Sequence, residues 1–429
     1  MFWKSSVAIS TLLVLAQAAP HSSPKSPVLD AEIDGIVLGI KTYGDPANWP
    51  ADQVQIVRDT MGMRDNGYYT TSGADLPTSV DPACTITTYN AATIKTALST
   101  CASLVVKDLT VPANTTLDLS AAKTGASITF EGKTTWLYGN KNYDLLKLGG
   151  QGVTIQGAPG SVIDGNGAAW WDGIGSNGGR AKPNHMITGS KLTGDSVIKN
   201  LYIKNAPTHV FYISGAFGLT MKGILIDMKD GYALVPGTTL EQAHNTDGFD
   251  ISSSTLVTMT NNVVFNQDDP IAVSSGGDVV WDNSYVYGGH GLSIGSVGLK
   301  SNNTVDGVIF SNSQVVASQN GHRIKTNSGA TGSVNNVTYS NIQLQDISIY
   351  GIDIQQDYLN GGPTGLPTEG VNITNIFMHN IHGNVLPTAK NYYILVGPSA
   401  DPSTWKFTGV NIKGGNSSCN VAPQGFNCK

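Results

Sequence analysis

The sequence predicts an all-β protein whose main part is one large domain, a right-handed parallel β-helix. Three observations favour this fold. The chain of 429 residues has 50 glycines. Only 13% of its residues are charged, against about 25% in an average soluble domain. Short strands with alternating apolar residues also recur along it, most of them followed by a single Asn or Gly. Helical bundles and coiled coils need more Glu, Lys and Leu than this composition offers.

The repeat becomes regular from about residue 150 onward. The turn residues Asn283, Asn312 and Asn341 are 29 residues apart, and periods of ~20 to 50 residues are typical of solenoids and propellers. A β-sandwich would show hairpin turns such as Asn-Gly between antiparallel strands. Here a single residue separates two short strands, and Asn and Gly best tolerate the left-handed conformation that bends a strand sharply. We therefore expect stacked coils in which Asn amides of neighbouring coils are hydrogen-bonded.

The beginning of the chain predicts export. Lys4 precedes an apolar run from Val7 to Leu15, and small residues up to Ala18 would suit cleavage, so residues 1–18 are interpreted as a signal peptide. A buried helix is the alternative. Residues 19–80 lack the repeat and are interpreted as an N-terminal extension or pro-segment, or else as a linker. The β-helix domain is expected at 81–429, in a secreted protein.

Charge and hydrophobicity exclude two classes of partner. No later stretch has the ~20 unbroken apolar residues of a membrane helix, so no membrane partner is expected. The net charge is −6, which leaves no basic excess to hold a nucleic-acid backbone.

Four cysteines form two separated pairs near the ends of the main domain. Three pairings are formally possible, but local pairing is favoured because each pair flanks one short loop. Neither spacing is typical of a zinc site, and an exported protein meets an oxidising compartment. We therefore expect disulfides Cys84–Cys101 and Cys419–Cys428. Five sequons mark candidate glycosylation sites: Asn114, Asn302, Asn336, Asn372 and Asn416.

Acidic motifs recur at the length of one coil. Asn245-Thr-Asp247-Gly-Phe-Asp250 is followed by Gln267-Asp268-Asp269-Pro270 and then by Gly288-Gly-His290-Gly. Asp247 and Asp268 are 21 residues apart, and Asp268 and His290 are 22 apart. Such residues fall on one face of successive coils, which lie ~4.8 Å apart. Arg323 and Lys325 join this face if one loop is inserted, and they point the same way because they are two residues apart.

This group of side chains suits glycoside hydrolysis. One carboxylic acid protonates the leaving oxygen while another carboxylate activates water or attacks the sugar. Adjacent acids raise each other's pKa, so one can stay protonated while the other is ionised. A Ca²⁺ site is an alternative, but Arg323, Lys325 and His290 would compete with the ion. A third interpretation takes Asp-Asp before Pro270 as an ordinary turn.

The motifs NTDGFD, QDD, GGHGLSIGSVG and RIKT, in this order, resemble those of the polygalacturonases, pectin-cleaving glycoside hydrolases with a parallel β-helix. The segments beginning at Asn327 and at Gln355 are similar to those of the fungal endo-acting members. The resemblance covers roughly residues 80–429. It implies that Asp268 is the general acid and that Asp247 and Asp269 hold and activate the attacking water. It also implies that His290 tunes the protonation of the acid.

The resemblance also implies substrate-binding residues. Arg323 and Lys325 would bind a galacturonate carboxylate near the scissile bond, and Tyr358 would lie at the same subsite. The charges agree with this, because an anionic sugar needs fixed cations in a carboxylate-rich cleft, and Arg has a planar fork suited to carboxylates. Two departures stand out: Pro270 replaces a cysteine usual in the family, and His322 precedes Arg323 where a small or apolar residue is common.

These observations predict a secreted endo-polygalacturonase. It would hydrolyse α-1,4 links of homogalacturonan with inversion, and we expect a monomer that needs no metal and no organic cofactor. An exo-acting enzyme on the same fold is an alternative, as are a Ca²⁺-dependent pectate lyase and a non-catalytic pectin-binding β-helix. The Arg323-Ile-Lys325 motif argues against a rhamnogalacturonan hydrolase, which generally lacks that pair.

Overall fold

The chain folds as a parallel β-helix, as the sequence predicts. A computed structural model describes residues 80–360 and 362–428. The predicted signal peptide and all but the last residue of the predicted extension lie outside the described residues, so both remain predictions. The described residues form 29 strands, and every pairing between these strands is parallel.

The pairings arrange the strands in three stacks that run along the solenoid. The first contains Thr85–Ile86 (β1), Ser103–Lys107 (β2), Ser127–Glu131 (β5), Thr154–Gly157 (β8), Phe217–Lys222 (β13), Ser254–Thr260 (β16) and Gly276–Asp282 (β19). The second contains Thr110–Val111 (β3), Lys133–Trp136 (β6), Val162–Asp164 (β9), Tyr202–Lys204 (β11), Leu225–Asp227 (β14), Val263–Asn266 (β17) and Tyr285–Gly288 (β20).

The third stack carries the candidate site described below. It contains Leu117–Leu119 (β4), Leu146–Gln151 (β7), His209–Ser214 (β12), Phe249–Ser252 (β15), Ile271–Val273 (β18), Leu292–Val297 (β21), Asn320–Asn327 (β23), Tyr350–Tyr358 (β25), Lys390–Leu395 (β27) and Asn416–Cys419 (β29). Long strands bend around a corner and belong to two stacks. They are His185–Lys199 (β10), Thr304–Val316 (β22), Gly332–Ile347 (β24), Val371–Val385 (β26) and Lys406–Lys413 (β28).

The helical content of the described residues is small. Helix α1, Ala91–Thr100, is capped by the Asn90 side chain, which accepts a hydrogen bond from the Thr93 amide (3.0 Å). It buries Ile94 and Leu98 in the core near the start of the described domain. Short 3₁₀ helices lie at Pro82–Cys84, Gly167–Ala169, Gly175–Asn177, Lys229–Tyr232 and Pro402–Thr404.

The two disulfides join the cysteines that the sequence paired. Cys84 is bonded to Cys101 across α1, and Cys419 is bonded to Cys428 beyond β29. All four cysteines lie within the described residues, and none is free. The bridges therefore fasten the first and the last parts of the solenoid rather than the cleft.

The turn asparagines adopt the conformation that the repeat predicts. Asn283, Asn312, Asn341 and Asn380 have φ between 48° and 54°, which is the left-handed region. The amides of three of them form a ladder: Asn341 donates to Asn312 (3.0 Å), and Asn380 donates to Asn341 (2.9 Å). Asn283 donates in the same way to Asn261 (3.1 Å). The expected stacking of amides is confirmed for these coils.

We expect Asn341→Ala to destabilise the protein by about 2–5 kcal/mol. The left-handed backbone costs an alanine ~1–2 kcal/mol. Two exposed amide hydrogen bonds are also lost, each worth about 0.5–1.5 kcal/mol. Asn341→Gly is the matched control, because it loses the same hydrogen bonds but accepts φ > 0. Thermal unfolding should therefore rank wild type above Gly and Gly above Ala. Equal melting temperatures for the Gly and Ala variants would show that strain plays no part.

Aromatic side chains fill the interior of the solenoid. Phe211 stacks on Phe249 with ring centroids 5.2 Å apart, and Phe310 stacks on Tyr339 at 4.8 Å. His322 lies in this interior, fully buried and with its ring against Tyr339. Burial lowers the pKa of His322 to about 3. The side chain that stood out beside Arg323 is therefore a neutral core residue that points away from the cleft-lining face.

We expect His322→Leu to make the protein more resistant to acid unfolding. The unfolded chain takes up a proton at the ordinary histidine pKa of 6.5, but the folded chain does so only at about 3. As the pH falls through that window, His322 therefore removes up to about 1.4 kcal/mol of stability per pH unit. The difference between the melting temperature of the Leu variant and that of wild type should therefore shift in favour of the Leu variant as the pH decreases. His379→Leu, at an exposed position of β26, is the control, and parallel curves for His322→Leu and wild type would refute the effect.

Candidate active site

All seven candidate catalytic and substrate-binding side chains line one cleft of about 830 Å³. They come from successive coils of the third stack, at or beside β15, β18, β21, β23 and β25. These residues are Asp247, Asp268, Asp269, His290, Arg323, Lys325 and Tyr358. The parallel register brings them together, since Phe249 pairs with Ile271 and Ile271 with Leu292, which aligns the residues that precede each strand.

Asp268 and His290 form a close pair. The Nδ1 atom of His290 lies 2.8 Å from Oδ1 of Asp268. The other carboxylate oxygen of Asp268 accepts a hydrogen bond from the Asn245 amide at 3.1 Å. Both Asp268 and Asp247 are less than a tenth exposed. Asp268 is thus fixed from two sides and still reaches the cleft.

Asp247 lies beside a histidine that the motifs did not include. Nδ1 of His209, at the start of β12, is 3.4 Å from Asp247 and 3.1 Å from Asp250. Burial lowers the pKa of His209, but the charges of Asp247 and Asp250 outweigh it and raise the pKa to about 10. His209 is therefore a cation at neutral pH and partly balances the carboxylates around it.

Asp247 and Asp268 have pKa values that move apart. Burial raises the pKa of Asp247 well above its ordinary value, and the charge of Asp268 raises it further. Burial also raises the pKa of Asp268, but the contact with His290 outweighs it, so the pKa of Asp268 lies below its ordinary value. Two close carboxylates do not both ionise readily. In the free protein Asp247 therefore favours its protonated form and Asp268 its ionised form.

Asp269 is held by cations. Lys325 Nζ forms an ion pair with its Oδ2, and Arg323 Nη1 lies 4.0 Å from its Oδ1. The Ser293 hydroxyl donates to the same Oδ1 at 2.7 Å. Burial lowers the pKa of Lys325, but Asp269 outweighs it and the net pKa is raised, so the ammonium stays charged. Each oxygen of this buried carboxylate therefore faces a cation.

Arg323 has a second anchor deep in the protein. Its Nε lies 3.3 Å from Oδ2 of Asp353, which is fully buried one coil further on in β25. Burial raises the pKa of Asp353 to about 7, although Arg323 lowers it. The guanidinium of Arg323 and the ammonium of Lys325 each lie 5.3 Å from the ring centre of Tyr358. Tyr358 therefore covers both cations at the edge of the cleft.

Four contributors to the site were not predicted: His209, Asn245, Ser293 and Asp353. A signal existed for His209, because His185 and His209 are 24 residues apart, which is one coil, and they pair in register. Asn245 and Ser293 are neutral residues inside the NTDGFD and GGHGLSIGSVG motifs, where the acidic residues and His290 carry the predicted chemistry. Asp353 had no signal in the sequence, since its role depends on burial beneath Arg323.

Other predicted features are accessible in the structure. Asn114, Asn336, Asn372 and Asn416 are exposed and Asn302 is half-buried, so glycosylation at these sequons stays a prediction. Among the described residues, no helix is both long and apolar enough to cross a bilayer.

Comparison with known proteins identifies the class. The chain belongs to the glycosyl hydrolases family 28, whose sequence pattern matches residues 101–428. It is therefore a glycoside hydrolase.

Its relatives are more specific. The chain is 51% identical over 345 residues to a polygalacturonase from Fusarium fujikuroi, a match covering 79% of this chain and 91% of that protein. It is 44% identical over 434 residues to endopolygalacturonase D of Aspergillus niger, covering 98% of this chain and 86% of the relative. Endopolygalacturonase I from Stereum purpureum, solved with two galacturonate molecules, matches with a TM-score of 0.65 and 28% identity. That alignment covers 79% of this chain and 100% of the Stereum chain.

Proposed function

We propose that this glycoside hydrolase is a secreted, monomeric endo-polygalacturonase that cleaves α-1,4 links of homogalacturonan. The observation that carries the proposal is the cleft itself, in which Asp247, Asp268 and Asp269 lie beside Arg323 and Lys325. Carboxylates supply the acid and base of glycoside hydrolysis, and the two cations suit a sugar that carries its own carboxylate. The names of the curated relatives and of the Stereum neighbour agree with this substrate.

In the proposed mechanism Asp268 protonates the glycosidic oxygen as the bond breaks. In the free protein the contact with His290 favours the ionised form of Asp268. The proton that Asp268 delivers therefore comes from His290, whose Nδ1 lies 2.8 Å from the carboxylate. Asp247 and Asp269 hold the attacking water on the opposite side of the sugar ring, and its proton passes to Asp269, because the raised pKa of Asp247 favours its protonated form. A water placed opposite the leaving group inverts the anomeric centre.

The cations act on the substrate through charge. Arg323 and Lys325 line the cleft and also neutralise Asp269, so a galacturonate carboxylate can approach without meeting uncompensated negative charge. They also argue against a Ca²⁺-dependent lyase. The Lys325 ammonium lies against Asp269, where it competes with any ion bound by Asp268, Asp269 and His290.

One assay tests the function. The secreted protein is incubated with polygalacturonate, with and without chelator, and reducing ends, ultraviolet absorbance and viscosity are followed. We expect reducing ends with a fast fall in viscosity and no effect of chelator, and NMR of the first products should show the inverted anomer. A slow fall in viscosity would indicate an exo-acting enzyme. Unsaturated products that absorb in the ultraviolet would indicate a lyase, and binding without new reducing ends a non-catalytic protein.

A further inference from the structure

We propose that His185, His209 and Asp250 form a binding site for a transition-metal dication such as Zn²⁺, and that occupancy of this site inhibits hydrolysis. One ligand atom from each of the three residues lies within 4.8 Å of the other two. The side chains come from three successive coils, β10, β12 and β15, and all three line the cleft. A dissolved ion can therefore reach them.

The donor set determines the kind of ion. Two imidazole nitrogens and one carboxylate oxygen suit Zn²⁺, Cu²⁺ or Ni²⁺, whereas Ca²⁺ and Mg²⁺ prefer oxygen ligands. Nδ1 of His209 and Oδ2 of Asp250 are already 3.1 Å apart, a separation that two ligands of one ion can keep. A fourth position remains for water or a substrate oxygen.

His185 contacts a carboxylate through one ring nitrogen, as metal-binding histidines usually do. Oδ1 of Asp144 lies 3.3 Å from Nδ1 of His185, so a carboxylate holds one ring nitrogen and the other remains for the ion. Tyr212 stacks on the same ring with centroids 4.7 Å apart and limits its rotation. Such carboxylate–histidine pairs fix the ring and increase the basicity of the ligand nitrogen.

The local charge favours a dication. Asp144 lies behind His185, and Asp247 lies 3.4 Å from Nδ1 of His209. An ion that binds here replaces the proton held on His209, and the released proton passes to solvent. The ion also places two positive charges in the cleft next to Asp247, so that this side chain turns to the ion and no longer holds the attacking water. The bound ion is thus an inhibitor rather than a cofactor.

Binding is tested without substrate, because the carboxylates of polygalacturonate themselves bind dications. Titration calorimetry with ZnCl₂ on the whole protein should show one ion per chain at this site. His185→Ala should weaken Zn²⁺ binding by more than about tenfold, and Asp144→Asn by about 10–100-fold. His379→Ala, which removes an exposed histidine on β26, is the control and should bind as wild type does. Co²⁺ should give visible ligand-field absorption in wild type that His185→Ala loses.

Inhibition is tested separately, with reducing ends measured at buffered free Zn²⁺. Wild type should lose activity as the site fills and recover it when chelator is added. Asp144→Asn changes a residue that does not line the cleft, so it should keep its basal activity, and its inhibition should need about 10–100-fold more free Zn²⁺ than that of wild type. No Zn²⁺ binding to wild type, or equal binding by wild type and His185→Ala, would overturn the site. Binding without loss of activity would overturn the inhibition.

Discussion

Asp268→Asn is expected to lower kcat on polygalacturonate by about 10²–10⁴-fold, the usual contribution of a positioned acid. The amide cannot deliver a proton to the leaving oxygen, but it can still accept the hydrogen bond from Asn245 and contact His290. KM should therefore change little, and so should the melting temperature. Initial rates over a range of substrate concentrations, together with thermal unfolding, check these expectations.

A matched control separates chemistry from charge. Asp278→Asn removes an exposed carboxylate from β19, in another stack, and should leave kcat unchanged. Wild-type turnover by Asp268→Asn would mean that another group is the acid. The first alternative is then Asp247, whose pKa is the one raised in the free protein. Asp247→Asn, measured in parallel, decides between the two carboxylates.

Lys325→Met is expected to lower both stability and activity strongly. Lys325 is buried and ion-paired with Asp269. Its loss leaves a buried carboxylate with one fewer compensating charge, and breaking such a pair typically costs about 3–5 kcal/mol. The same change removes a cation proposed to bind the substrate carboxylate, so KM should increase. Thermal unfolding and steady-state kinetics measure the two effects independently.

The double variant Lys325→Met/Asp269→Asn distinguishes the two roles of Lys325. It removes the unpaired charge, so its melting temperature should recover part of the loss, whereas hydrolysis should not recover because the proposed base is gone. Lys222→Met, at an exposed position of β13, is the control for loss of one positive charge. If Lys325→Met keeps the wild-type KM and melting temperature, both roles are wrong.

Much of the fold could be predicted from the sequence because the solenoid repeats a short sequence pattern. One left-handed residue per corner leaves a visible Asn or Gly, and apolar alternation in register with it marks the strands. The grouping of Asp247, Asp268 and His290 followed in the same way. Parallel register converts a spacing of one coil into spatial contact, so distance along the chain was enough.

The remainder of the site depends on features without such a period. Asp353 stabilises Arg323 from a buried position that only packing determines. The residues between β14 and β15 form a long insertion, so His209 lies 38 residues before Asp247 although the two side chains are neighbours. Asn360 donates to Asn177 at 3.3 Å across 183 residues, a contact between loops that no repeat predicts.

In the third stack, the functional side chains of each coil lie ~4.8 Å further along the groove than those of the coil before it. Inserting one whole coil after Tyr358 would lengthen the groove by that step and leave the reacting groups untouched. The same insertion between Asp268 and His290 would separate the two by a full coil and break their 2.8 Å contact. Whole coils can therefore be added at the ends of the groove, where they lengthen the polymer-binding surface. In the middle of the groove, only the corner loops can change without separating the reacting groups.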